Sequence, residues 1–290
     1  MEITEEIRQK LIGFQSDEIT EYHIYRKLAK SLKSSENRRI LEDIADDELK
    51  HYRQWRVYTG EDVPFRRWDL WKYYLISKIF GFTFGLRLME RGEQGAQESY
   101  HQLIEVIPEA ESIMREENQH EESLLQLLDE ERLQYTGSMV LGLNDALVEL
   151  TGALAGFTLA LQDTNLIALT GSITGIAAAL SMGASEYLST KTEKSIKNPL
   201  TASLYTGGAY LITVLFLILP YLLFKNYYLC LGFTLMGAII IIAGFNYYIS
   251  VAKDEPFRSR FFEMSGLSLG VAIFSFMIGF LMRIFFGVDV

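Results

Sequence analysis

The chain has almost no cysteine and no excess of positive charge. Cys230 is its single cysteine in 290 residues and lies in an apolar run. One thiol excludes a disulfide framework and a cysteine-built metal site. The formal net charge is −10, which argues against nucleic acid as a partner and suits cations. The first residues, Met-Glu-Ile-Thr-Glu-Glu, lack the basic and apolar regions of a signal peptide. The expectation is therefore a cytoplasmic N-terminus.

What is present divides sharply. Residues 1–135 carry 28 acidic and 19 basic side chains, a net of 19 − 28 = −9. Residues 136–290 carry 9 acidic and 8 basic, a net of −1. The expected domains are thus 1–135, charged and soluble in character, and 136–290, with apolar runs too long for a soluble core. Five spans can be read at about 138–161, 166–188, 203–224, 227–251 and 263–286. Each is near the roughly 20 residues that cross a hydrocarbon core as helix.

Charge predicts the orientation. Lys191, Lys194 and Lys197 follow span 2, and Lys253, Arg258 and Arg260 follow span 4. The loop Gln162–Asn165 has no basic residue. The positive-inside rule puts the N-terminal domain in the cytoplasm and the C-terminus outside. The lipid bilayer is then a partner, and a prokaryotic plasma membrane is the expected setting for so compact a fusion.

Acidic groups within the spans point to function. Asp145 and Glu149 are four residues apart and share a helix face. Glu186 closes span 2, a turn after Met182. A carboxylate in hydrocarbon costs roughly 2.5–3.5 kcal/mol unless it faces a cavity or partner, so such groups mark a pathway. Met182 adds a soft sulfur suited to a transition metal. Three GxxxG patterns, at Gly152/Gly156, Gly171/Gly175 and Gly266/Gly270, permit close helix contact within a chain or between two.

Gly142-Leu-Asn-Asp145 and Ser181-Met-Gly-Ala-Ser-Glu-Tyr-Leu-Ser189 resemble the first- and second-helix motifs of the vacuolar iron transporter family. Asn198-Pro199 and Lys253-Asp-Glu-Pro256 fit as well. The resemblance covers about 136–290. It implies a homodimer that moves Fe2+ or Mn2+ out of the cytosol in exchange for protons, with Asp145, Met182 and Glu186 on the pathway. Two departures stand out. Plant-type members have an Asp where this chain has Ser138, and Glu149 offers a replacement charge. Their Glu-rich cytoplasmic insert between spans 2 and 3 is missing here, which leaves metal capture to the N-terminal domain.

That domain reads as four helices, at roughly 4–33, 36–58, 70–104 and from Pro108 to 132. Short links within each pair and a long one between the pairs give the four-helix layout with one crossover. The repeat inside it carries the chemistry. Glu18 precedes Tyr25 by seven residues, then comes Glu48-Leu-Lys-His51. Glu93 precedes Tyr100 by seven, then comes Glu117-Asn-Gln-His120. Glu and His at i and i+3 share a face, and two such pairs plus a Glu from each other helix make a di-iron carboxylate site. Glu90, one turn from Glu93, is the rival ligand on that helix. His120-Glu-Glu-Ser-Leu lacks the second His of a zinc-protease motif.

Residues 17–51 resemble the first hairpin of rubrerythrin-type ferritin-like proteins, through Glu18, Tyr25, Leu28-Ala29 and Leu41 to His51. Ferritin-like domains joined to transporter domains of this kind are membrane-bound ferritins, which the chain resembles over nearly its full length. The expected fold is all-α, a cytoplasmic ferritin-like bundle fused to a five-span membrane domain. Two functions remain open. One is an iron exporter whose bundle captures or senses metal. The other is a membrane-anchored di-iron ferroxidase or peroxide-consuming enzyme. The aromatic and basic stretch 63–84 also has two readings, a bilayer-interface element or helix packing.

Overall fold

The computed structural model describes residues 4–32, 34–89, 91, 107–126, 135–193 and 197–286. All regular structure among the described residues is helical. The chain divides into two compact units, Met1–Glu130 and Glu131–Val290.

The N-terminal unit begins with α1, Glu5–Ala29, and α2, Ser35–Thr59. Thr4 and Ser34 cap them, each side chain accepting from the backbone N–H three residues on. Gly60 ends α2 in the left-handed region, at φ 75°. Glu109–Gln126, α5, carries the second Glu-x-x-His. Two apolar clusters hold the unit together. One joins Ile24, Tyr25 and Leu28 of α1 to Leu41, Ile44 and Ala45 of α2, with Leu86, Met89 and Leu124. The other joins Leu11 and Phe14 to Trp55, Ala110 and Ile113.

The third expected helix, 70–104, is broken. Arg67–Phe80 forms α3, and Gly81 then turns the backbone at φ 105° and ψ 148°. Helix resumes as α4, described over 82–89. The positive φ at Gly81 is one that residues with a Cβ rarely adopt. The turn folds α4 back on α3 so closely that a Cβ on Gly85 would lie 1.9 Å from Ser77 Oγ. A hydrophobic pattern that runs through 81 reads as one helix, because periodicity does not record a glycine hinge.

Among its described residues, the second unit holds five helices long and apolar enough to cross a membrane. They are α6 (Thr136–Leu161), α7 (Thr164–Thr192), α8 (Pro199–Leu223), α9 (Tyr227–Lys253) and α10 (Phe257–Phe286). Asp163, Asn198 and Asn226 cap α7, α8 and α9. A π-helical turn at Ala146–Leu150 interrupts α6 immediately after Asp145. Such turns inside α-helices occur often at functional sites.

Small residues set the packing. A Cβ on Gly279 of α10 would meet the Gly156 carbonyl of α6 at 2.3 Å. Gly171 and Gly175 pack against Leu154 and Val214 within the chain. Gly266 and Gly270 have nothing within 4 Å of an added Cβ. Two of the three GxxxG patterns are therefore used inside one chain, and the third is open among the described residues.

Candidate metal centre

Glu18, Glu48, His51 and Glu117 each offer a ligand atom, and these atoms all lie within 4.8 Å of one another. Glu18 comes from α1, Glu48 and His51 from α2, and Glu117 from α5. The i, i+3 spacing turns Glu48 and His51 to one face of α2, and the packing of α1 and α5 brings the other two to it.

His120 joins the group. Its Nδ1 lies 3.3 Å from Glu48 Oε1 and 3.6 Å from Glu117 Oε2. His51 Nδ1 lies 3.6 Å from Glu48 Oε2 and 2.9 Å from Glu117 Oε1. Each of these two carboxylates therefore places one oxygen toward each imidazole. The imidazole centroids are 5.9 Å apart. Glu18 Oε2 adds a further oxygen 3.5 Å from His51 Nδ1.

Among the described residues, four buried atoms of the cluster have charge-pair neighbours but no hydrogen bond of good geometry: Glu18 Oε2, Glu48 Oε2, His51 Nδ1 and His120 Nδ1. Leaving buried polar atoms unsatisfied costs about 1–3 kcal/mol each. All four atoms are oxygen or imidazole nitrogen, a donor set suited to Fe or Mn. The residues therefore could hold a metal ion.

The far side of each imidazole is held by a second carboxylate. His51 Nε2 donates to Glu116 Oε2 at 2.8 Å, and Lys50 Nζ donates to the same carboxylate at 2.8 Å. His120 Nε2 donates to Asp47 Oδ2 at 3.2 Å. The arrangement is reciprocal across the helices, since Glu116 precedes Glu117 and Asp47 precedes Glu48. Such partners orient an imidazole and raise its basicity as a ligand. The sequence reading missed both, although an acid before each Glu-x-x-His was a visible part of the repeat. It also missed Trp55, whose indole N–H donates to Glu18 Oε1 at 2.9 Å.

Electrostatics follow from burial and crowding. Burial pushes the Glu18 carboxyl well above its usual range, and Glu117 and Glu48 add to the shift. Burial also opposes ionisation of Glu48, but contacts from His120 and His51 prevail and hold it at about 2. Burial disfavours charge on His51, yet Glu117, Glu18 and Glu48 raise it well above the usual histidine range. His120 is raised to about 10 by Glu117 and Glu48 against the same burial. The carboxylates around them thus favour the charged form of both imidazoles in the metal-free cluster. Glu90 and Glu93, the expected ligands from the third helix, lie outside the described residues.

In the second unit, Glu186 accepts from Ser138 Oγ at 2.5 Å. Glu149 accepts from Tyr210 Oη at 3.0 Å. Asp145 immediately precedes the π turn and Glu149 lies within it. Met182 packs partly buried against the apolar core of α6, α7 and α8. Glu149 is exposed on the single chain, and Asp145 and Glu186 are half-buried. Asn144 Oδ1, beside Asp145, is buried without a hydrogen-bond partner among the described residues.

Residues 136–198 match the model of the VIT family. The matched segment carries Asp145, Glu149, Met182 and Glu186 and supports the resemblance to vacuolar iron transporters. No curated protein and no solved structure matches the chain. Five helices long and apolar enough to cross a membrane, together with a segment that matches the VIT-family model, suggest an integral membrane protein and are consistent with a metal-ion transporter.

Proposed function

We propose that the protein exports Fe2+ from the cytosol, with Mn2+ as the alternative cargo, and exchanges it for protons. The carrying observation is that one chain joins a buried carboxylate–histidine cluster to a VIT-family segment with three acidic side chains in its spans. In this reading the N-terminal unit is a cytoplasmic ferritin-like domain that captures or senses iron. Glu18, Glu48, His51, Glu117 and His120 hold the metal, with Glu90 or Glu93 completing the set. Asp47 and Glu116 orient the two imidazoles.

Asp145, Glu149, Met182 and Glu186 form the membrane pathway. Carboxylates that bind either a cation or a proton provide the exchange, because metal must displace protons to bind. Asp145 and Glu149 lie four residues apart in the first span, close enough in the chain to serve one cation together. Ser138 holds the Glu186 carboxylate and Tyr210 holds that of Glu149. A homodimer accounts for the exposure of Glu149. Facing lipid, its charge would cost roughly 2.5–3.5 kcal/mol, and a second copy would wall it into a cavity. The proposed setting is a prokaryotic plasma membrane, with the N-terminal unit inside and the C-terminus outside.

A second reading is favoured by the two carboxylates shared between His51 and His120. Such a cluster also suits a di-iron ferroxidase or peroxide-consuming enzyme anchored by the spans. One experiment separates the two. The protein is reconstituted in liposomes, loaded anaerobically with Fe2+ on one side, and followed for metal flux and internal pH. Flux with opposing proton movement, lost in Asp145→Asn, establishes exchange. Absence of flux for either metal, with Fe2+ oxidation that needs Glu48 and His51 once oxygen is added, establishes the enzyme.

A further inference from the structure

The N-terminal unit carries an exposed apolar stripe that its own core does not use. In α3, Leu70, Tyr73, Tyr74 and Ser77 face inward, spaced three and four residues apart. The opposite face bears Trp68, Trp71, Leu75 and Ile79 at the same spacing, exposed by 80%, 52%, 51% and 65%. An amphipathic surface helix has one apolar stripe, and α3 has two.

Basic side chains flank the outer stripe. Arg67, Lys72 and Lys78 are exposed. Lys27 of α1 lies over the Trp71 ring, its Nζ 3.5 Å from the centroid, and Lys72 lies 4.6 Å from that of Tyr73. Residues 64–80 hold four basic side chains and one acidic, a net of 4 − 1 = +3. Residues 1–135 as a whole stand at −9. The stripe is thus a basic, tryptophan-bearing island on an acidic unit.

We propose that this face of α3 docks on the bilayer surface, with Trp68, Trp71, Leu75 and Ile79 entering the headgroup boundary and the basic side chains meeting anionic lipid. Two observations select lipid as the occupant. Tryptophan beside lysine and arginine is the composition of membrane interfaces, and a polybasic flank is drawn to anionic headgroups. A second copy fits poorly, because a two-fold contact sets each patch against itself and would bring Arg67, Lys72 and Lys78 near their own counterparts. The bilayer is at hand, since the same chain carries five apolar spans. The inference needs no metal and stands apart from the transport reading.

The chain itself supplies the probe. Its three tryptophans are Trp55, Trp68 and Trp71, all in the N-terminal unit, and Trp55 is fully buried. Full-length protein is placed in nanodiscs of phosphatidylcholine and phosphatidylglycerol with or without brominated acyl chains. Bromine should quench up to about two thirds of the tryptophan emission, the share of two residues in three. A Trp68→Phe, Trp71→Phe variant gives the baseline from Trp55. Leu75→Glu with Ile79→Glu keeps both reporters and should return the emission to the unquenched level. Arg67→Glu with Lys72→Glu and Lys78→Glu should do the same in anionic discs. Emission equal with and without bromine overturns the proposal. If acrylamide then quenches Trp68 and Trp71, the face is in water, and if it does not, a second copy covers it.

Discussion

Trp55 Nε1 donates to Glu18 Oε1 at 2.9 Å, and both side chains are buried. The bond fixes a carboxylate whose other oxygen, Oε2, lies 3.5 Å from His51 Nδ1 and accepts no hydrogen bond among the described residues. One oxygen is thereby committed to the protein and the other is left to ligate. Trp55 lies four residues after His51, so one face of α2 supplies both the imidazole and the group that orients its neighbouring acid.

Trp55→Phe keeps the ring and removes the donor. Metal binding by the N-terminal unit should weaken about tenfold, within the range for lost partners of ligating groups. Titration with Co2+, followed in the visible spectrum, checks this. Unchanged affinity would show that Glu18 needs no such anchor.

His51→Ala leaves Glu18, Glu48 and Glu117 facing one another without their shared cation. Metal-free stability should fall by about 3–5 kcal/mol, the cost of breaking a buried ion pair by removing one partner. Urea unfolding read through tryptophan emission reports only on this unit, because the second unit has no tryptophan.

The metal-free cluster should fail on both sides of neutrality. His120 is raised to about 10 in the folded state. Its stabilising contribution is full below about 6.5 and fades as pH rises toward 10. Glu48 is held at about 2. Its contribution is present above about 4.5 and fades as pH falls toward 2. Thermal unfolding across pH should show both limbs. Added Mn2+ should reverse the alkaline limb alone, since deprotonated imidazoles are ligands.

Ser138→Ala removes the donor to Glu186, and Tyr210→Phe the donor to Glu149. Each should slow anaerobic Fe2+ flux by about tenfold, equal to 1.4 kcal/mol on the barrier. Asp145→Asn should abolish flux and leave Co2+ binding by the N-terminal unit intact. Flux assays in liposomes beside Co2+ titration give both readouts.

Gly279→Leu should disrupt the second unit, because even a Cβ there would reach 2.3 Å from the Gly156 carbonyl. Gly270→Leu should leave the fold intact, with nothing within 4 Å of its Cβ. Detergent melting compares the two. A change in oligomer size confined to Gly270→Leu would place that face between copies.

The amino-acid sequence alone determined the five spans and the first two helices. Twenty-residue apolar runs, capping side chains at Ser34, Asn198 and Asn226, and charge that collapses after residue 135 act locally and survive in any packing. The sequence also marked Glu48 with His51 and Glu117 with His120, because the i, i+3 spacing alone puts each pair on one face. Only tertiary structure decided the rest. Contacts between residues far apart in the chain, such as His51 with Glu116 and Trp55 with Glu18, depend on how α1, α2 and α5 rotate against one another, which no short pattern encodes. The break at Gly81 escaped for a related reason. The apolar stripe of α3 continues past it, and only the return of α4 onto Ser77, with no room for a side chain at Gly85, shows where the helix must turn.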